Sequence, residues 1–477
     1  MSELPKGWIN TQIGQVITLN EKLKGIDDEV ECGFVPMVRM PTAYRGFVNF
    51  ETKTWGSCKK GFTQFKDDDV LLAKITPCFE NGKGGIVTGL PNGIGAGSTE
   101  YFVLRCIDEL IQPQYLHAFV KSKKFMDDCE VHMGGSVGHK RVPKDYLLKY
   151  EIPLAPLNEQ IRIANKLDSI LAKVDKAQAR LDKIPAILKR FRQSVLAAAT
   201  SGELTKEWRE ENAPIKHSEV TGKYALDWSI VEESALPESW QWVPLGNYAK
   251  CNRGKFSIRP RNDPSCFDGD YPFIQIGDLP RQGGFIYSHK QTLNEKGYSV
   301  SREFDAGTVV LAIVGATIAN TGITTYPVCF PDSLVGINSA SETTNKYLDY
   351  HLRAIKEDIR QASYAGGGQP NIKLTMVNPL PLPLPSEAEI VEIVAKVELL
   401  MARANKVENQ YLDAKARLDR LTQSILAKAF RGELVPQDPN DEPAEKLLER
   451  IVAEKEQSKP KKTTRKRATK AKTAEKE

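Results

Sequence analysis

"QSVLAAATSGEL" occupies Gln193–Leu204 and "QSILAKAFRGEL" occupies Gln423–Leu434, 230 residues further on. At that fixed offset from Pro153 onward, identities recur at Pro383, Leu384, Glu389, Lys396, Ala402, Lys406, Ala416, Leu418 and Arg420. They continue through Gln423, Ser424, Leu426, Ala427, Ala429, Gly432, Glu433 and Leu434 without a gap. A repeat of this period points to a duplicated domain plan.

The repeated segment has its own periodicity. In the first copy Ile163, Leu167, Ile170, Val174, Ala177, Leu181, Ile184, Leu188, Phe191 and Val195 alternate steps of four and three. Ile393, Val397, Leu400, Ala404, Val407, Tyr411, Ala414, Leu418, Leu421 and Ile425 keep the same phase in the second. That alternation holds one apolar stripe toward a partner helix, as in a coiled-coil seam. Each seam spans about 48 Å at 1.5 Å per residue. Pro185, where the second copy has Lys415, removes a backbone donor and predicts a kink near Leu181. Both helices follow proline-rich extended runs, "EIPLAPLNEQ" and "PLPLPLPSEAE", which resist helix. Gly202 and Gly432 are natural stops. The best partner for one seam is the other.

The segments ahead of the helices correspond more loosely. "LPKGWINTQIGQV" (Leu4–Val16) resembles "LPESWQWVPLGNY" (Leu236–Tyr248), "GFVPMVRM" pairs with "GDYPFIQIGDL", and "DDDVLLAKIT" with "DAGTVVLAIVG". These short β-branched runs bounded by Gly, Asp and Pro predict strand-rich domains. "PQYLHAFVKSKKFMDDCE" and "NKYLDYHLRAIKEDIRQA" each read as a helix, followed by Gly-rich loops. The expected fold is α+β: two strand-rich α/β domains separated by two long helices in an antiparallel coiled coil, with pseudo-two-fold internal repetition. The boundaries fall at 1–155 and 236–385 for the domains, 156–205 and 386–435 for the helical regions, 206–235 for a linker and 436–477 for a basic, disordered tail.

Composition narrows the function. The 477 residues are 41% hydrophobic, enough for folded cores, and carry a net charge of only +5. No apolar run reaches the roughly 18–20 residues that cross a bilayer, and "MSELPKGWIN" has no signal-peptide pattern; a cytoplasmic protein is expected. Eight scattered cysteines without a CxxC pair predict reduced thiols rather than a disulfide or zinc framework. "GSCKKGF" lacks the lysine placement of a phosphate loop, and no HExxH occurs. "NPLP" (Asn378–Pro381) lacks the aromatic residue of an amino-methyltransferase tetrapeptide. Asp27, Glu51 and Lys53 have loosely nuclease-like spacing, with no counterpart in the second half. The chain reads as a binder, without catalytic, cofactor or metal residues of its own.

The "LPxxW" starts, "PLAPLNEQ", "KIPAILKRFRQSVLAAATSGELTKEWR" and "LTQSILAKAFRGELV" resemble the specificity subunits of type I restriction–modification enzymes over essentially Leu4–Val435. The second hinge departs locally, with Ile390 where the first copy has Gln160. The resemblance implies two target-recognition domains, each reading one half of a split double-stranded DNA sequence, with the helices as spacer. It also implies two modification subunits that methylate adenine with S-adenosylmethionine, and two restriction subunits that use ATP and Mg2+, in a bacterial or archaeal cytoplasm. Pseudo-two-fold symmetry suits two half-sites on a duplex. Base readout needs Arg, Lys, Asn or Gln on loops that reach the groove. In the first domain Arg39, Tyr44, Arg45, Asn49, Lys59, Lys60, His139, Lys140 and Arg141 are the candidates. In the second they are Arg253, Lys255, Arg259, Arg261, Gln275, Arg281, Gln282, Gln369, Asn371 and Lys373. The basic stretch Ser458–Lys472 either adds nonspecific DNA affinity or solubilises the end. A free-standing bipartite DNA-binding protein and a single-chain modification enzyme are the competing readings.

Overall fold

The computed structural model describes residues 4–136, 138–212, 217–364 and 371–457. The helices that organise the chain are α1 (Pro113–Val120), α2 (Leu157–Leu181), α3 (Ile184–Ser201), α4 (Glu342–Ala354), α5 (Glu387–Ala429) and α6 (Ala444–Gln457). They belong to two compact units: residues 1–181 with 413–477, and residues 182–412. Unit 1 therefore combines segments that are distant in sequence, unit 2 is one continuous segment, and α5 is shared between them.

Unit 1 contains strands β1 (Ile9–Gln12), β2 (Ile17–Leu19), β3 (Glu31–Val35), β4 (Glu51–Thr54), β5 (Thr63–Lys66), β6 (Val70–Ala73), β7 (Gly84–Ile86), β8 (Ile94–Gly97), β9 (Tyr101–Cys106) and β10 (Glu151–Leu154). They form sheets of order β2-β9-β6-β7 and β4-β3-β8-β5 and a ribbon β1-β10. Unit 2 contains β11 (Gln241–Pro244), β12 (Lys250–Arg253), β13 (Phe267–Phe273), β14 (Phe285–Ile286), β15 (Gln291–Leu293), β16 (Glu303–Phe304), β17 (Val309–Ala312), β18 (Thr321–Thr324), β19 (Val328–Cys329), β20 (Leu334–Asn338) and β21 (Pro381–Leu384). Its sheets run β12-β20-β17-β18-β14 and β15-β13-β19-β16, with a ribbon β11-β21. Apart from the added edge strand β14, the two orders are the same. The central strands explain why. "VLLA" and "VVLA" are buried at every position, as expected of strands covered on both faces. Their antiparallel partners β9 and β20 bring Tyr101 opposite Ala73 and Leu334 opposite Ala312.

The same tethers recur in each unit. Trp8 Nε1 donates to Glu159 Oε2 at 3.0 Å, and Trp240 Nε1 to Glu389 Oε2 at 2.8 Å. Buried Tyr115 donates to the Pro153 carbonyl at 2.6 Å, and Tyr347 to that of Pro383 at 2.5 Å. Where the repeat departs, the core changes character. Gln160 is buried and bonds Leu110, Ala155 and the Gln112 amide, whereas Ile390 joins an apolar cluster.

The helices run antiparallel within each unit. Ile163, Leu167 and Leu171 near the start of α2 share a buried cluster with Ile425, Leu426 and Ala429 at the end of α5. Val195, Leu196 and Ala199 at the end of α3 share another with Ile390, Ile393, Val394 and Val397 at the start of α5. Arg192 fixes the second pair through Glu408 at 2.7 Å and Asn405 at 2.8 Å. The first repeat breaks between Leu181 and Ile184, with Pro185 in the first turn of α3, while α5 is continuous over 43 residues. Of the seam positions, Ile163, Leu167, Leu188, Val195, Ile393, Val397, Ala404 and Ile425 are buried. Ile170, Val174, Ala177, Leu181, Ile184, Leu400, Tyr411, Ala414 and Leu418 are half-buried. Phe191, Val407 and Leu421 are exposed at 38%, 43% and 45%, so the stripe is not closed along its whole length. α3 stops on left-handed Gly202 (φ 84°), and the turn that follows α5 ends on left-handed Gly432 (φ 71°).

Three expectations need correction. Residues 436–477 are not wholly a tail: α6 buries Ala444, Leu447 and Ile451 in unit 1, and Asp441 pairs with Arg162 at 2.7 Å. Its apolar residues at three- and four-residue spacing make one sticky face, which the polar composition of the segment concealed. The 206–235 stretch is not a bare linker, because Val231 is buried in unit 2 and Tyr224 exchanges hydrogen bonds with the Asn247 side chain. The segments read as single helices are each broken in two, at Lys121–Ser122 and at Ile355. Ser122 caps the second piece through the Phe125 amide. Ser458–Lys472 lies outside the described residues.

Candidate nucleic-acid interface

In unit 1 the candidate residues lie on loops around the strands, and their pairing separates them into groups. Arg39 is tied to Glu51 at 3.0 Å and to the Phe50 carbonyl. Lys59 pairs with Asp28, while Lys60 and Asn49 stay exposed. Arg141 forms the stem of a loop: its backbone pairs with Gly134, and its guanidinium grips Glu100 at 2.9 and 2.7 Å. That fork presents His139 and Lys140 at the exposed tip.

Tyr44 is half-buried, and Arg45, though exposed, is engaged in ion pairs. Tyr44 packs on the His117 ring at 5.0 Å, and burial drives its pKa upward. Arg45 is held by Asp168 at 2.8 Å and Asp175 at 3.3 Å on α2. The loop that carries them is clamped by Lys121, whose ammonium donates to the carbonyls of Thr42 (3.1 Å) and Gly82. Burial lowers the Lys121 pKa to about 8. Sequence inspection missed this lysine because a helical Lys normally reads as solvated surface.

In unit 2 Arg253, Arg259 and Arg261 converge on Asp332. Arg261 approaches its carboxylate at 2.6 Å and Arg259 at 3.6 Å, and Arg253 donates to its carbonyl at 2.5 Å. Two guanidiniums on the Asp332 carboxylate and a third on its carbonyl leave a positive knob, with exposed Lys255 close to Arg253 in sequence. Gln275 is committed to a capping box with Asp278 and to Gln291. Asn371 bridges to Val314, and Lys373 precedes a short helix; Gln369 lies outside the described residues. Arg281 and Gln282 open onto a cleft of about 400 Å3, also lined by Lys189, Arg192, Arg353 and Lys356. Lys189 and Arg192 sit on the helix read as spacer, where "LKRFRQ" (188–193) hinted at them, and Arg353 and Lys356 on the helical stretch read within the second domain.

Arg39, Arg45, Arg141, Arg259 and Arg261 are thus held by internal carboxylates, with exposed lysines beside them, an arrangement able to hold a polyanion. Among the described residues no His, Cys, Asp and Glu cluster suits a metal ion, and no helix is long and apolar enough to cross a membrane.

Comparison with known proteins accords with the duplicated plan. The family described as type I restriction modification DNA specificity domain matches twice, at residues 5–186 and 237–414. The EcoEI specificity subunit of Escherichia coli is 37% identical over 43% of this chain, although the match spans only 35% of that subunit. The EcoDI specificity subunit is 31% identical over 75% of this chain and 80% of its own length. The EcoKI specificity subunit of strain K12 is 27% identical over 98% and 99%. Among solved structures, a chain of a type I R-M system superposes with a TM-score of 0.71 at 18% identity, over 91% of this chain and all of its own. The HsdS subunit of Thermoanaerobacter tengcongensis superposes at 0.55 and 19%, over 90% and 98%. With two family matches that coincide with two copies of one strand order, the chain belongs to the type I restriction modification DNA specificity family.

Proposed function

We propose that this protein is the DNA-recognition subunit of a type I restriction–modification complex. Each strand-rich domain reads one half of a bipartite duplex target, and the helices set the unread gap between the halves. The chain scaffolds two modification subunits, which hold S-adenosylmethionine. Two restriction subunits supply ATP- and Mg2+-dependent action, and this chain does no chemistry itself. The observation that carries the reading is the repeated strand order with one basic loop set per copy. Two similar but non-identical readers address two different half-sites, whereas an enzyme needs one assembled site.

The deciding experiment maps methylated adenines in a genome carrying this protein with its modification subunits. A two-part motif with a constant gap is expected. Methyl transfer by the isolated chain would overturn the proposal in favour of a single-chain enzyme. DNA binding with no modification subunit co-purifying would favour a free-standing binder.

A further inference from the structure

The cleft in unit 2 departs from the charge balance kept elsewhere. Lys189 and Arg192 from α3, Arg281 from the loop after β13, Arg353 at the end of α4, and Lys356 just beyond it all line it. Among the described residues two carboxylates form ion pairs with these five cations, and Glu357 adds only a charge interaction with Lys356. Glu408 takes Arg192 at 2.7 Å. Asp349, fully buried, takes Arg353 at 3.2 Å while Thr321 donates to its other oxygen at 2.5 Å. Among the described residues the side chains of Lys189, Arg281 and Lys356 have no hydrogen-bond or ion-pair partner. The Lys356 pKa is lowered, first by burial and then by the charges of Arg360, Arg353 and Lys189. The Arg360 Nε beside it is buried without a partner.

The cleft is also shaped. Gly283 has φ of 72°, and a Cβ there would meet the Arg353 Cδ and Nε at 2.6 Å. The absent side chain is what lets Arg353 lie across the loop into the cleft. Asn320 and Gln282 add amide groups to the lining. Unit 1 treats its cations differently. Its cleft of about 540 Å3 is lined by Arg45 and Asp168, and Lys121, at the helix position where unit 2 has Arg353, is satisfied by two carbonyls. Uncompensated charge is therefore not a requirement of the fold.

We infer that this cleft is a sequence-independent phosphate site that takes one or two backbone phosphates of the bound DNA, joining the second recognition domain to the spacer helix α3. The inference rests on the DNA-recognition reading above. A phosphodiester fits better than an acidic protein segment. The lining is a short cluster of forked and point-charge donors with amides, suited to compact tetrahedral oxyanions, and its apolar members are the small or ring-closed Pro185, Pro280 and Ala319 with Leu196. Phosphate contacts position a protein without reading bases.

The test uses the full chain and its Lys189→Gln, Arg281→Gln, Lys356→Gln triple variant, with Arg281→Gln alone as a second variant should the triple fail to fold. Each is titrated with a duplex of about 30 base pairs over a range of KCl concentrations. Since each neutralised phosphate contributes about 0.9 to the slope of log Kobs against log salt, the triple variant should be shallower by about 1 to 2, and the single variant by up to about 1. With modification subunits present, the methylated motif should stay the same. An unchanged slope while wild type binds DNA overturns the cleft assignment but leaves the recognition reading standing; wild type that binds no DNA overturns both. A change in recognised bases, or variant-sensitive binding of a polyglutamate peptide with an unchanged DNA slope, would equally overturn it.

Discussion

At the residue scale, one repeated carboxylate is used in two ways. Glu389 receives Trp240, Thr205 at 2.7 Å and the Arg209 guanidinium, which lies 5.7 Å from the Trp240 ring. Both of its oxygens are occupied and its charge is answered. Glu159 receives Trp8, but its other oxygen is buried without a partner, and burial raises its pKa. A raised folded pKa means that the folded chain binds the proton more tightly than the unfolded one. Stability is then lost as pH rises from the unfolded carboxylate range through the folded value. Glu159→Gln should remove that loss and leave unit 1 at least as stable at pH 7. Glu389→Gln should cost about 3 kcal/mol by leaving Arg209 unpaired. Urea melts of the two variants, at pH 4 and pH 7, check both outcomes. Tyr115→Phe and Tyr347→Phe should each cost about 1–2 kcal/mol, because a buried carbonyl loses its donor.

At the element scale, the helix ends are packed joints. A Cβ on Gly202 would meet Pro237 Cγ at 2.5 Å, and one on Gly432 would meet Pro5 Cγ at 2.2 Å. Those prolines are the repeated "LP" of the two domain starts. Each domain start thus closes on the end of a helix from the other half of the repeat. Gly202→Ala and Gly432→Ala each combine a left-handed φ with that clash and should cost about 2 kcal/mol or more, read as lowered melting temperatures. Helix α6 gives a second test. A chain ending at 457 should keep its stability. One ending at 436 should lose about 4 kcal/mol from unit 1, since Leu447 and Ile451 no longer bury their side chains. Denaturation of the two truncations distinguishes them.

At the scale of the whole molecule, duplication predicts modular specificity. Exchanging residues 5–154 for the equivalent domain of a relative should change one half-site and leave the other half and the gap intact, as read by methylation mapping. A change in both halves would show that the readers are coupled. The structure limits where such a graft can end, because Trp8 bonds Glu159 and β1 pairs with β10, with Ile9 opposite Leu154. A junction within that ribbon would separate strands that need each other; one after Leu154 keeps the ribbon whole.

The sequence by itself determined the repeat, the helical phase, the proline break, the glycine stops and the strand-rich character of both domains. These depend on local period and backbone sterics, which a linear pattern carries in full. Only the tertiary structure decided which segments share a unit, because residues 413–457 join unit 1 through buried side chains such as Ile425 and Leu447, far from the first domain in sequence. It also decided which cations are spent. Arg45 looked free in the sequence and is held by Asp168 and Asp175, whereas Lys356 looked like helix surface and lines a cleft. Charge compensation acts through space over a few ångströms, and residues 123 and 130 positions apart leave no trace of that proximity in the order of the chain.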